Sequence, residues 1–331
     1  MVELKRYTIE MQLEKEIQPI EIQNFLYRIG FLKDLSEKVL WSKVPGEGNM
    51  NIVLRIKTNY RSFILKQSKP YVQKYKEIPA PVNRIKSEYQ FYKTLENNVV
   101  ELNVPKLLGF YENENLLVFE DLGHCTDFSN IYNTREFTES QLTTLVTMIT
   151  KIHNTKVKPN YPKNKELRIL NHQHIFELPF LETNGFSLDT VQNGLEALSL
   201  PYKKDTDLKQ KIKEIGALYL SEGNVLLHGD FYPGSWMKNE DEIYVLDPEF
   251  TFLGFAEFDL GVMAAHVTMA TMEIKMIDKI IEKYPNSINS TLLKKVTGIE
   301  IMRRIIGLAQ LPLERNLKEK EYLLKIAYQL I

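Results

Sequence analysis

The sequence predicts an α+β chain of two lobes, a smaller one with an antiparallel sheet and one helix and a larger, mainly helical one. Three observations predict it: a glycine-bearing hairpin near residue 46, an amphipathic helix after it, and two acid-ended apolar strands late in a helix-rich second half. At 331 residues the chain exceeds what one core usually holds, and 44% hydrophobic residues give each lobe something to bury. The division is drawn at a connector, with residues 1–121 in the first lobe and 122–331 in the second.

Taken in order, Pro19 to Leu40 reads as a helix with Ile22, Phe25, Leu26, Ile29 and Leu32 along one side. Val44-Pro45-Gly46-Glu47-Gly48-Asn49-Met50-Asn51 then leads into strands at Ile52 to Lys57 and Ser62 to Gln67. Amides of a glycine turn can approach phosphates closely because no side chain intervenes, and Lys66 on the returning strand is placed to meet them. Taken alone, Gly46-x-Gly48 suits a tight turn equally well. Asn83 to Leu95 has helical composition and carries Glu88, the candidate partner of Lys66; pairing along its own helix is the other reading. Strands at Val104 to Tyr111 and Leu116 to Asp121 follow, and then a connector whose backbone near Glu120 to Leu122 offers amides and carbonyls to a planar base. Thr138 with Gln141 is a capping box opening a helix with Leu142, Leu145, Ile149 and Ile152, and Asp205 to Leu220 is a second amphipathic helix.

The chemistry gathers in what comes next. Val225-Leu226-Leu227-His228-Gly229-Asp230 is an apolar strand running into a turn-rich loop, and Ile243-Tyr244-Val245-Leu246-Asp247-Pro248-Glu249 repeats the design after the turn Asn239-Glu240-Asp241. That turn is expected to fold the two strands back on each other and bring the acids together. Hard oxygen ligands for magnesium and a carboxylate to orient a hydroxyl are what phosphoryl transfer requires. Asp230 is the candidate catalytic acceptor, and Ser235 a weaker catalytic-loop ligand. Pro248 favours an extended backbone before it, which would let Asp247 and Glu249 face one metal ion. Tyr232 and Trp236 are candidates for lining the acceptor pocket, Asp259 for bracing the loop. Arg303 and Arg304 interrupt an apolar helix, and a buried guanidinium calls for a partner.

Lysine plus arginine total 42 against 43 acidic residues, so no global field attracts nucleic acid or an anionic membrane, and partners must be recognised locally. One cysteine, Cys125, excludes an intramolecular disulfide and suits a reducing compartment. The amino-terminal residues lack a signal-like apolar stretch and no run reaches membrane-spanning length, which places the chain in the cytoplasm as an expectation.

These motifs resemble the aminoglycoside phosphotransferase and choline kinase superfamily, and within it most closely the 5-methylthioribose kinases. Gly46 to Asn51 is similar to that group's glycine loop, Lys66-Gln67 to its phosphate-lysine segment, Asp247-Pro248-Glu249 through Asp259 and Gly261 to its metal loop, and Met302 to Ala309 to its paired-arginine helix. Together they run from about residue 44 to 310. The resemblance implies a protein-kinase-like fold and ATP with magnesium. It makes Gly46, Gly48, Asn49 and Lys66 nucleotide-binding, Asp247 and Glu249 metal-binding, and Arg303 and Arg304 substrate-binding; the residues themselves add Glu88, Glu120 and Leu122 on the nucleotide side and Asp230, Tyr232 and Trp236 on the substrate side. The implied acceptor is a small-molecule hydroxyl, first methylthioribose at its anomeric position. Another alcohol (an amino alcohol, a choline-like compound, homoserine or an aminoglycoside) or nucleotide binding without catalysis are the alternatives, and a homodimer is compatible with the sequence. Phe231-Tyr232-Pro233 departs from the group's usual leucine, histidine and threonine after the aspartate.

Overall fold

The computed structural model describes residues 11–46, 50–240 and 242–331, which fall into two compact units, one of residues up to Tyr89 with Pro105–Gly123, the other Gln90–Val104 with His124–Ile331.

The first unit contains α1 (Pro19–Arg28), β1 (Val39–Lys43), β2 (Ile52–Thr58), β3 (Ser62–Gln67), the short pair β4 (Tyr71–Val72) and β5 (Tyr75–Pro79), the start of α2 (Arg84–Asn97), β6 (Leu107–Tyr111) and β7 (Leu116–Glu120). Five strands form one antiparallel sheet in the order β1-β2-β3-β7-β6. Alternation along β2 sends Ile52, Leu54 and Ile56 inward, where they meet Phe63, Leu65, Leu116 and Val118 and the apolar side of α1, Ile22, Phe25 and Leu26. The helix expected over 19–40 ends at Arg28. Gly30 at φ +76° terminates it, with the Phe31 N–H returning to the Leu26 carbonyl, and the Asp34 carboxylate then caps a turn by accepting from Ser36. The chain is thereby released to make β1.

The second unit continues with β8 (Thr126–Asp127), α3 (Ile131–Thr134), α4 (Glu139–His153), α5 (Lys165–His172), α6 (Leu195–Lys204), α7 (Thr206–Leu220), β9 (Val225–Leu227), β10 (Trp236–Asn239), β11 (Glu242–Val245), β12 (Phe252–Gly254), α8 (Ala256–Thr271), α9 (Lys275–Lys283), α10 (Ser290–Ile306) and α11 (Leu317–Leu330). The capping box at Thr138 and Gln141 forms in both directions, and Asp205 caps α7. Helix α8 is buried on every side, from Ala256 to Ala270 except Glu257, which is why its sequence shows no polar face. One side, with Leu260 and Met263, packs into a core shared with Leu145 and Ile149. The other, with Val262, Ala265 and Met269, meets Ile299, Met302, Leu323 and Leu324. No helix among the described residues is long and apolar enough to cross a membrane.

The acid-ended strands pair differently from the expectation. The turn at Glu240 joins β10 to β11, whereas β9 pairs with β12. A 3-10 turn at Pro233–Ser235 restarts the chain as a separate strand at Trp236, so β10 stands between the two acid-bearing segments in sequence and takes the hairpin partner that β9 was expected to have.

Candidate active site

In the first unit Lys66 is the last but one residue of β3, flanked by Val53 of β2 and Leu117 of β7. Its Nζ lies 2.6 Å from Glu88 Oε2 on α2, with both side chains buried. Such a pair is held by geometry, because removing one member leaves an uncompensated charge in the interior. Arg84, one helical turn earlier, was not anticipated. It is fully buried and donates to the Asn51 side chain (3.1 Å), the Met50 carbonyl (2.8 Å) and the Lys69 carbonyl (2.9 Å), which fixes the returning end of the glycine loop. The i, i+4 spacing of Arg84 and Glu88 on one helix face is the signal that would have found it. Gly46 is exposed and a Cβ there would meet nothing, so the protein's own packing does not demand glycine and the room is open to a ligand. Gly48 and Asn49 lie outside the described residues.

The connector differs from the expectation at one point. The Glu120 amide is already engaged by the Lys106 carbonyl (3.0 Å), and the Glu120 carboxylate accepts from the Lys106 amide (2.7 Å), because β7 continues to pair up to that residue. Glu120 therefore has no spare N–H for a base. Leu122 follows in a turn fixed by Asp121, which accepts from the Gly123 amide and pairs with Arg55 (3.0 Å).

In the second unit β9 delivers His228-Gly229-Asp230. Asp259, fully buried on α8, accepts from the amides of His228 (2.7 Å) and Gly229 (2.9 Å) and from His153 Nε2 (3.2 Å), so it braces the loop as the sequence suggested. Gly229 adopts φ +84°, and a Cβ there would stand 2.2 Å from the Phe250 carbonyl oxygen. Only glycine fits both constraints. His228 joins the two acid loops: its Nε2 lies 2.9 Å from the Leu246 carbonyl, while its Nδ1 faces the Asp230 amide at 3.3 Å. Ser235 is buried and donates to the Asp230 carbonyl (2.8 Å), so its hydroxyl shapes the loop and has only lone pairs left for a cation.

Asp247 and Glu249 do not lie on an extended segment. Asp247 takes the left-handed conformation, φ +67°, and Pro248–Phe250 turn in a 3-10 helix; proline at the first helical position outweighs its preference for an extended predecessor, and aspartate tolerates the left-handed region. Asn164 secures the turn by donating to the Glu249 and Thr251 carbonyls.

The cluster around Asp230 is held by a carboxylate that the sequence reading missed. Glu300 on α10 is 2% exposed. It accepts from Arg304 Nε (2.7 Å) and His266 Nε2 (3.0 Å), and its other oxygen lies 3.0 Å from Arg303 Nε. Arg304 then reaches Asp230 at 3.8 Å and lies over the Tyr232 ring at 5.1 Å. Burial opposes ionisation of Glu300, but Arg303, Arg304 and the His266 hydrogen bond outweigh it and hold the carboxyl well below the usual range. Burial pushes His266 down to about 4, so the ring is neutral, donates to Glu300 through Nε2 and accepts at Nδ1 from the Tyr132 hydroxyl, 2.5 Å away. The spacing Glu300, Arg303, Arg304 puts one acid and two bases on one helix face, a signal readable as i, i+3 and i, i+4. Asp230 moves the opposite way. Burial raises it to about 7, with Arg304 and Arg303 pulling it down and Glu300 and Asp247 pushing it further up.

Trp236 is a correction. It is fully buried between Phe128, Phe137 and Phe231 and presents no surface to an acceptor; as the first residue of β10 its side chain points into the core. Tyr232 is half-buried beside Arg304 and His266, with its ring available at the cluster.

No group of three histidine, cysteine, aspartate or glutamate side chains among the described residues is arranged to hold a metal ion. Magnesium is commonly held by one or two carboxylates, with phosphates and water completing the shell. Asp247 and Glu249 are hard donors of that kind. The repulsion that Asp247 exerts on Asp230 is what a divalent cation would relieve, so the donor set fits the ion.

The chain belongs to the phosphotransferase enzyme family, whose sequence profile matches residues 43–275. Among curated relatives it is similar to the methylthioribose kinase of Exiguobacterium sibiricum, 29% identical over 76% of this chain and 67% of that protein, and to that of Bacillus velezensis, 28% identical over 71% and 62%. The chain thus spans about two thirds of the length of these relatives. Among solved structures, spectinomycin phosphotransferase APH(9)-Ia, in complex with ADP and spectinomycin, shares the fold with a TM-score of 0.57, 15% identity and coverage of 95% of this chain and 99% of that one.

Proposed function

We propose that the chain is an ATP-dependent small-molecule kinase of the cytoplasm that transfers the γ-phosphoryl group to a sugar hydroxyl, with 5-methylthioribose as acceptor and its 1-phosphate as product. The observation that carries this reading is the pair Arg303 and Arg304, buried on Glu300, with Arg304 turned toward Asp230. Two cations beside the candidate base suit an uncharged polyhydroxyl acceptor and repel the ammonium groups of choline or an aminoglycoside. The names of the curated relatives support the same acceptor.

In this scheme Asp230, raised to about 7, steers or takes the proton of the attacking hydroxyl. Ser235 fixes the backbone that carries it. Asp247 and Glu249 would hold magnesium, which would supply charge neutralisation at the phosphate oxygens. Lys66, aligned by Glu88, meets the phosphates, and the glycine loop at Gly46, with Gly48 and Asn49, contributes amides. Leu122 lies in the segment that meets the base, and Tyr232 lines the acceptor side with the two arginines.

Incubation with ATP, magnesium and, separately, methylthioribose, choline, homoserine and an aminoglycoside tests the reading by measuring phosphorylated product. Product is expected with methylthioribose alone. Turnover of a cationic acceptor in preference to the thiosugar would sink it.

A further inference from the structure

Beside Arg304, within the second unit, lies a cavity of about 270 Å³, equivalent to about nine waters at ~30 Å³ each. Arg304, Arg315 and Lys320 contribute three cations to its wall, Leu311 and Leu313 an apolar surface, and Gln192 a carboxamide. Lys320 is the informative member. It is 6% exposed and has no hydrogen-bond or ion-pair partner among the described residues. It is also the fourth residue of α11, where the helix dipole disfavours a cation. Its stem is buried while its ammonium is not among the fully buried atoms, so the charge can meet water or a ligand. Arg315, 4% exposed, directs its hydrogen bonds to the carbonyls of Tyr132, Met269, Ala270 and Glu314, all neutral acceptors, and the nearby Glu319 carboxylate, which favours its charge, is itself hydrogen-bonded to Arg135. The acid on the wall, Glu314, is exposed and makes no ion pair with either cation. The Gln192 Oε1 is buried without a donor, ready to accept from a protonated ligand oxygen.

We propose that this cavity is a binding site for a small organic anion, its carboxylate or phosphate received by Lys320 and Arg315 and its short apolar remainder by Leu311 and Leu313. Arg304 belongs both to this wall and to the cluster around Asp230, so occupancy is felt at the acceptor side. Since the proposed acceptor is uncharged, the anion would be a separate metabolite acting as effector.

Thermal unfolding of the whole chain without ATP tests the site independently of any turnover. Sodium phosphate and sodium butyrate are compared with sodium chloride at equal ionic strength, for the wild type, Lys320→Met and the exposed neighbour Lys318→Met. At least one of the two anions is expected to raise the unfolding midpoint by about 2 °C or more in the wild type and in Lys318→Met, and to leave Lys320→Met unmoved. Without added anion Lys320→Met is expected to unfold close to the wild-type temperature, since it keeps the buried stem and removes a charge that makes no ion pair among the described residues. Persistence of the shift under saturating methylthioribose is expected of a separate effector site, and its loss overturns that assignment. Equal shifts in all three proteins, or none in the wild type, overturn the proposal.

Discussion

Lys66 and Glu88 in the first unit form an ion pair, one ammonium and one carboxylate 2.6 Å apart on a strand and a helix. In the second unit Glu300 serves three partners, Arg303, Arg304 and His266, and Arg304 passes the connection on to Asp230. The pair orients one functional group. The hub positions two guanidinium groups and sets the electrostatic surroundings of Asp230, so a change to Glu300 is felt at several side chains together. Cooperative charge sites of this kind concentrate risk in one residue, and that residue need not touch a substrate.

The largest effect that would break the comparison is expected at the hub. Glu300→Gln should cost about 3–5 kcal/mol of stability, as removal of one member of a buried ion pair does, read from denaturant unfolding. The sign with pH follows from its depressed folded pKa: the stabilisation is fully present above the unfolded value of about 4.3 and is lost as pH falls below it. The gap between wild type and variant should therefore narrow below about pH 4, and a gap constant down to pH 3 would deny the charge its role. Next, Asp230→Asn should lower turnover at least about a hundredfold with the apparent affinity for ATP nearly unchanged; unaltered turnover would remove Asp230 from the chemistry. In the first unit Lys66→Met is expected to raise the KM for ATP about tenfold and leave that of the acceptor in place, and Lys66→Met/Glu88→Leu should be more stable than Lys66→Met, because the second change removes the stranded carboxylate. A double variant less stable than the single one would contradict the pairing of Lys66 with Glu88. The smallest effect belongs to Ser235→Ala, which should cost about 1 kcal/mol through the lost bond to the Asp230 carbonyl, visible in the unfolding midpoint.

The same contrast explains what could be read from the amino acids. The Lys66 to Glu88 pairing follows from local patterns: a hairpin fixes the lysine, an amphipathic helix fixes the glutamate, and each is recognisable on its own. Asp259 was legible as a brace because it opens a helix directly after the acid loop. Glu300 and His266 were not, since each lies inside a mostly apolar helix and acquires meaning only when α8 and α10 pack together. Arg84 was overlooked because its partners, Asn51 and the carbonyls of Met50 and Lys69, lie in other segments. The pairing of β9 with β12 and the turn at Asp247 escaped because proline and aspartate each have two permitted local conformations, and tertiary contacts choose between them. Trp236 was misassigned because an aromatic beside a loop looks the same in sequence whether it faces inward or outward.

The approach of Gly229 to the Phe250 carbonyl carries a consequence for how this protein could change over time. With no side chain between them, the two acid-bearing segments are wedged together at backbone level, so neither tolerates an inserted or deleted residue without disturbing the other. New acceptor preferences would therefore have to arise elsewhere, in the exposed stretch between Leu181 and Gly194 or in the segment after α10, while the acid loops are inherited as one indivisible block.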